Sequence, residues 1–220
     1  SLVVPVPEEV PLEHAAFATV GSIAMQGIRR ARPEFGEVFV VFGLGLVGQL
    51  CVRFAKNAGL RVIGFDLMPD RVERAKELGA DAAWAVTGAE AVERVADFTN
   101  GWGADAVVVA AATSSSEPMN TAMAMLRERG RISIVGAVGL ELQRGVFYMK
   151  ELDVYMSRSY GPGRYDRDYE ERGMKYPPAH VRWTETQNMA EVLRQMRDGL
   201  LRVDGLISAA YPIEEADKAY

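Results

Sequence analysis

Three glycines, Gly43, Gly45 and Gly48, stand in the spacing G-x-G-x-x-G within Gly43-Leu44-Gly45-Leu46-Val47-Gly48. Each has its own chemical consequence. Gly43 permits a tight turn out of a strand, Gly45 lets bare backbone approach a diphosphate, and Gly48 lets a helix lie close against a sheet. Leu46 and Val47 begin that helix, so their N–H groups are unpaired donors at the positive end of a helix dipole. Asp66 follows Gly48 by 18 residues, close to the roughly 20 expected of an acid that accepts both hydroxyls of an adenine ribose. A carboxylate there repels a 2′-phosphate and favours NAD over NADP, an effect that Arg71, five residues on, partly neutralises. The competing accounts are a tight turn without a ligand and, for Asp66, a charge at a helix start.

The surrounding elements meet the requirements of such a site. The apolar run Val38 to Phe42 precedes the glycines, and Val62-Ile63-Gly64-Phe65 leads into Asp66, which makes a βαβ unit. Beyond it the pattern alternates. Helices are expected over Pro69–Leu78, Ala89–Phe98 and Glu117–Leu126, and strands over Asp81–Val86, Asp105–Ala111 and Arg131–Val135. This predicts an α/β fold, a doubly wound parallel Rossmann sheet of about six strands with helices on both faces. Before it, residues 1–33 read as a proline-rich lead-in followed by a helix over Leu12–Arg32, with Ala15, Ala16, Thr19, Ile23 and Ile28 to one side. After it come a short helix over Phe147–Leu152, a strand at Val154–Ser157 and a long ordered loop over 159–183. A helix over Thr184–Gly199, a last strand at Leu206–Ala210 and the start of a helix at Ile213–Tyr220 complete the reading.

Ligands of open α/β sheets sit beyond the carboxyl ends of the strands. Two more such ends are rich in small residues, around Ala111 and Thr113 and around Val135, Gly136 and Ala137. They leave room for a nicotinamide ribose and ring and offer backbone groups to a carboxamide, or else they are ordinary loops. No residue is assigned a catalytic role. His14 and His180 lie far apart, and neither H-E-x-x-H nor C-x-x-C occurs. His14 reads as structural, and Ser114-Ser115-Ser116 as a loop and helix cap. Arg164, Tyr165, Tyr169, Tyr176, Arg182 and Trp183 either line a substrate or partner surface or pack on one another.

The composition excludes other classes. A net charge of −5 with 25 basic residues in 220 disfavours a nucleic-acid surface and an anionic membrane. The one cysteine, Cys51, allows neither an intrachain disulfide nor a cysteine-based zinc site and fits a reducing cytoplasm. It falls in an apolar helix pattern and reads as a buried structural thiol. No apolar run is long enough to span a bilayer.

The chain resembles the coenzyme-binding domain of the medium-chain, zinc-type alcohol dehydrogenases and threonine-dehydrogenase-like enzymes. The resemblance rests on Leu12-Glu13-His14-Ala15-Ala16, Val41 to Gly48, Asp66 with Arg71, Arg74 to Asp81, Gly103-Ala104-Asp105 and Lys150-Glu151-Leu152. It implies one NAD(P)-binding domain over residues 1–220, with residues 1–33 arriving from a GroES-like catalytic domain that lies elsewhere and carries any zinc. The family's zinc ligand on the helix before the fold would fall near Thr19, a poor ligand. The tract from Ser157 to Tyr165 and on to Val181-Arg182-Trp183-Thr184-Glu185 resembles a bacterial subgroup. There this dehydrogenase is sometimes joined to a Gfo/Idh/MocA-type oxidoreductase in saccharide pathways. The resemblance also implies a homodimer paired through the edge strand near Val154–Ser157.

The expectation is therefore an NAD-binding domain of an oxidoreductase acting on an alcohol or ketone, inactive by itself. The alternatives are an S-adenosylmethionine methyltransferase and a non-catalytic NAD-sensing module.

Overall fold

The computed structural model describes residues 2–219. Six strands form one all-parallel sheet in the order β3-β2-β1-β4-β5-β6. They are β1 (Val38–Phe42), β2 (Arg61–Phe65), β3 (Ala82–Trp84), β4 (Ala104–Val109), β5 (Leu126–Ile134) and β6 (Asp153–Met156). Chain order reverses between β1 and β4, which opens a crevice at their carboxyl ends, where the Gly43 and Ala110 loops diverge.

The side-chain alternation of β1 builds two cores. Phe39 and Val41 point to the face covered by α2 (Ala18–Ala31), α3 (Leu46–Asn57) and α9 (Glu185–Arg197). Val38, Val40 and Phe42 point to the face covered by α5 (Gly88–Phe98) and α6 (Glu117–Met125). α4 (Pro69–Glu77) packs Val72 and Ala75 on the first face, and α7 (Arg144–Met149) packs Val146 and Phe147 on the second. Cys51 lies fully buried in α3, where burial pushes its thiol up to about 12. No helix among the described residues is long and apolar enough to cross a membrane.

Charged groups close the amino-terminal rim of the sheet. Asp105 accepts the Val38 N–H at 2.8 Å and the Arg127 guanidinium at 2.6 Å. Asp81 accepts the Val62 N–H at 2.6 Å and the Lys56 ammonium at 2.8 Å. Each thus caps a strand N–H that precedes its ladder. Lys150 donates to the carbonyls of Met123, Ala124 and Leu126 at 3.2, 2.7 and 2.5 Å, and so caps the carboxyl end of α6.

Several expectations are corrected. The expected helix over Leu12–Arg32 divides into α1 (Leu12–Ala15) and α2, with a turn at Ala16–Phe17. Its buried face carries Ala18, Ser22, Ala24, Met25 and Ile28, whereas Thr19 is exposed. Leu206–Ala210 does not form a strand. Leu206 closes a short 3-10 turn begun at Asp204, Ser208 to Ala210 are exposed, and β3 and β6 remain the sheet edges. The expected helix from Ile213 is a kinked 3-10 segment over Ile213–Ala219, and its end at Tyr220 lies outside the described residues.

Within 159–183 one helical turn, α8 (Arg167–Glu170), is capped by Asp166, which accepts the Asp168 N–H at 3.0 Å. The loop packs on its own groups. Tyr169 stacks on Tyr176 at 5.0 Å, Arg164 pairs with Glu170 at 2.6 Å, and Trp183 lies under the guanidiniums of Arg29 and Arg182 at 3.5 and 3.8 Å. Glu185, just beyond Trp183, is fully buried, and neither carboxylate oxygen has a hydrogen-bond partner among the described residues.

Candidate functional site

A cleft of about 660 Å³ opens at the point where strand order reverses. Gly43, Gly45, Asp66, Arg71, Ala111 and Thr113, all singled out from the sequence, line it. The glycines occupy it as their positions demand. Gly43 has φ +95°, and a Cβ there would lie 2.6 Å from the Ala111 nitrogen. A Cβ on Gly48 would stand 1.9 Å from the Gly43 oxygen, so only glycine lets α3 start this close to the turn. At Gly45 a Cβ would meet no protein atom within 4 Å, which leaves bare backbone facing open space.

α3 begins directly after Gly45, and its first internal bond runs from the Gln49 N–H to the Gly45 carbonyl at 2.9 Å. The N–H groups of Leu46, Val47 and Gly48 precede that bond and belong to the positive end of the helix.

Asp66 follows the last residue of β2, with its side chain only 8% exposed. One carboxylate oxygen accepts the Leu44 N–H at 2.7 Å and the other accepts the Met68 N–H at 3.0 Å. The Arg71 guanidinium lies 3.5 Å from the first oxygen. The acid is therefore held by backbone, and a cation stands on its solvent side.

Val135, Gly136 and Ala137 stand behind the cleft instead of lining it. The Thr113 N–H donates to the Ala137 carbonyl at 2.8 Å, and a Cβ on Gly136 would lie 1.9 Å from the Ala111 oxygen. This loop backs the one that does line the cleft. The motif gives no sign of Val86, Thr87, Ser115, Glu117 and Pro118 in the opposite wall. Glu117 accepts hydrogen bonds from Thr87 at 2.8 Å and Thr121 at 2.7 Å and so joins α6 to the loop after β3. Their only sequence signal is their place at a strand end or helix start.

The remaining candidates lie elsewhere. His14 approaches Asp204 at 3.3 Å and ties α1 to the 3-10 turn that begins there. His180 is exposed. Arg164, Tyr165, Tyr169, Tyr176, Arg182 and Trp183 are absent from the cleft wall.

Comparison with known proteins gives the family. The family described as zinc-binding dehydrogenase matches residues 47–172, more than half of the chain. The chain belongs to this family. Zinc-binding dehydrogenases of this kind bind a nicotinamide dinucleotide, and the matched region is their coenzyme-binding domain. The chain is 32% identical over 143 residues to an erythritol/L-threitol dehydrogenase of Mycolicibacterium smegmatis, covering 64% of this chain and 39% of that protein. It is 29% identical over 195 residues to an alcohol dehydrogenase of Rhizobium meliloti, covering 88% and 56%. The solved alcohol dehydrogenase of Thermus sp. ATN1 superposes with a TM-score of 0.74 at 26% identity, over 98% of this chain and 57% of that one. The chain thus spans about half the length of the relatives it matches. The methyltransferase and sensing-module alternatives gain no support from these comparisons.

The cleft fits a dinucleotide because the bare backbone of Gly45 and the buried acid line one crevice and α3 starts directly behind Gly45, although Leu46, Val47 and Gly48 are not themselves among the lining residues. The described residues do not fit zinc in the same way. No group of three or more His, Cys, Asp or Glu side chains among them is placed to hold a metal ion, so no step through a metal is derived from this chain.

Proposed function

We propose that this chain is the coenzyme-holding half of an NAD-dependent dehydrogenase that interconverts an alcohol or polyol and its ketone. The observation that carries the reading is Asp66, a carboxylate fixed by two backbone N–H groups beside an open glycine turn. The N–H groups of Leu46 and Val47 would donate to the pyrophosphate, which Gly45 admits and the short approach at Gly48 positions. Asp66 would accept the hydroxyls of the adenine ribose, with Arg71 flanking it. Its charge opposes a 2′-phosphate, so NAD is preferred to NADP. Ala111 and Thr113, backed by Val135, Gly136 and Ala137, would leave space for the nicotinamide and bind its carboxamide through backbone groups.

When bound, the dinucleotide supplies a hydride acceptor or donor at nicotinamide C4. This chain's residues orient that ring and exclude water from one side of it. The relatives are about twice as long, and in the whole protein a further domain would supply the groups that act on the substrate. The similarity to a threitol dehydrogenase supports a small polyol or saccharide-related substrate. Residues 1–33 would join the two domains, and two copies would pair through the exposed edge of β6.

Titration of the chain with NADH, followed by nicotinamide fluorescence, tests the reading. NADH should bind more tightly than NADPH, S-adenosylmethionine should not compete, and Asp66→Ser should weaken NADH selectively. Absence of NADH binding up to the order of 1 mM, or equal NADH affinity in wild type and Asp66→Ser, would overturn it.

A further inference from the structure

Gln49 closes the first turn of α3, is buried, and does not itself line the cleft. Its Nε2 donates to two carbonyls, Leu44 at 2.9 Å and Arg71 at 2.7 Å. An amide facing two acceptors has one permitted orientation, so its oxygen must turn away. That oxygen, Oε1, is buried without a hydrogen-bond partner among the described residues. A position that merely filled space would be better served by an apolar side chain, because a buried acceptor left unpaired is destabilising.

The contacts made by Gln49 complete a closed ring. Leu44 donates its N–H to Asp66 at 2.7 Å, and the same Asp66 oxygen lies 3.5 Å from the Arg71 guanidinium. Arg71 returns through its carbonyl to Gln49, and Gln49 to Leu44. The ring joins the glycine turn between β1 and α3 to the end of β2 and the first turn of α4. Asp66 and Arg71 are its two members that face the cleft.

We propose that Gln49 is a positioning residue that sets the choice between NAD and NADP; this rests on the coenzyme reading above. By tethering the Arg71 backbone to the glycine turn, Gln49 keeps the guanidinium beside Asp66. It also keeps the Asp66 carboxylate turned towards Leu44, in the orientation that receives ribose hydroxyls. With the tether cut, α4 moves independently of the turn and the half-exposed Arg71 side chain is free to meet a 2′-phosphate. Gln49 acts on selectivity through Asp66 and Arg71 and does not touch the cofactor.

The test compares wild type with Gln49→Met, which keeps the volume and removes the donor. NADH and NADPH dissociation constants are measured by fluorescence, and hydrogen exchange at the Leu44 amide is measured in the unliganded chain. Loss of one tether should weaken NADH about fivefold and NADPH less, so that the preference for NADH falls at least about threefold. Leu44 exchange should accelerate. Equal weakening of both dinucleotides would mark Gln49 as merely structural and overturn the proposal, as would unchanged affinities or unchanged Leu44 exchange. If wild type binds neither dinucleotide, the coenzyme reading fails instead, while the exchange measurement still judges the ring. Gln49→Asn, whose amide is too short to reach both carbonyls, replaces the methionine variant if that does not fold.

Discussion

Gly45 and Gly48 are chemically identical, three residues apart, and should fail in opposite ways when each is changed to alanine. At Gly48 the added methyl would lie 1.9 Å from the Gly43 oxygen and 2.9 Å from its carbonyl carbon. Backbone cannot yield that distance cheaply, so α3 must retreat from β1 and the chain should lose about 3 kcal/mol or more of stability. At Gly45 the methyl would meet no protein atom within 4 Å, and φ −64° with ψ −173° is open to alanine. The gain from a stiffer unfolded chain and the loss of a favourable N-cap residue nearly offset each other, so stability should stay within about 0.5 kcal/mol. The same methyl would occupy the space a diphosphate needs to reach helix N–H groups at about 2.9 Å. Losing one such charge-assisted bond should weaken NADH about tenfold or more. Urea unfolding and NADH titration of the two variants decide the matter. Comparable destabilisation of both, or full NADH affinity in Gly45→Ala, would refute the account of the turn.

Other consequences are as direct. Burial first, and repulsion from Glu170 second, push the Glu185 carboxyl from 4.5 up to about 6. Because the folded state holds this proton more tightly than the unfolded state, its contribution to stability is present below 4.5 and is lost as pH rises through about 6. Glu185→Gln should therefore be more stable than wild type at pH 7.5 by about 1 kcal/mol after allowing for solvent screening, and the advantage should vanish near pH 4.5; a pH-independent difference in thermal unfolding would refute this. Lys150→Met removes the cation from three carbonyls at the end of α6 and should cost about 2–3 kcal/mol in denaturant unfolding. Met156→Lys places a charge on the exposed edge of β6 and should convert the proposed dimer to a monomer in sedimentation, whereas an unchanged mass would refute pairing through that edge.

The sheet was legible because its strands are short apolar runs bounded by glycine and acidic residues, and because parallel strands covered on both faces need no alternation to be recognised. The glycine turn and Asp66 were legible for a related reason, since few residue types satisfy those positions. Leu206–Ala210 misled because an apolar run says nothing about whether a neighbouring strand edge is within reach. Gln49 was invisible, as one polar residue in an apolar helix reads as a surface position until its amide is seen between two carbonyls. Thr87 and Glu117 share the difficulty, for their meeting depends on the crossover between β3 and β4 and on no local pattern. Thr19 was assigned to the buried side of its helix but is exposed, because the packed face is built from the small residues Ala18, Ser22 and Ala24 beside it, which carry little hydrophobic signal.

The buried thiol has a practical consequence. Cys51 is the chain's one cysteine, fully buried, with its ionisation pushed up to about 12, and thiol-directed reagents act on the thiolate. The folded chain should therefore behave as thiol-free without any mutation. A cysteine placed on the rim of the cleft would be the sole target for a spin label or fluorophore, and two such sites would measure the opening of the crevice in the native background.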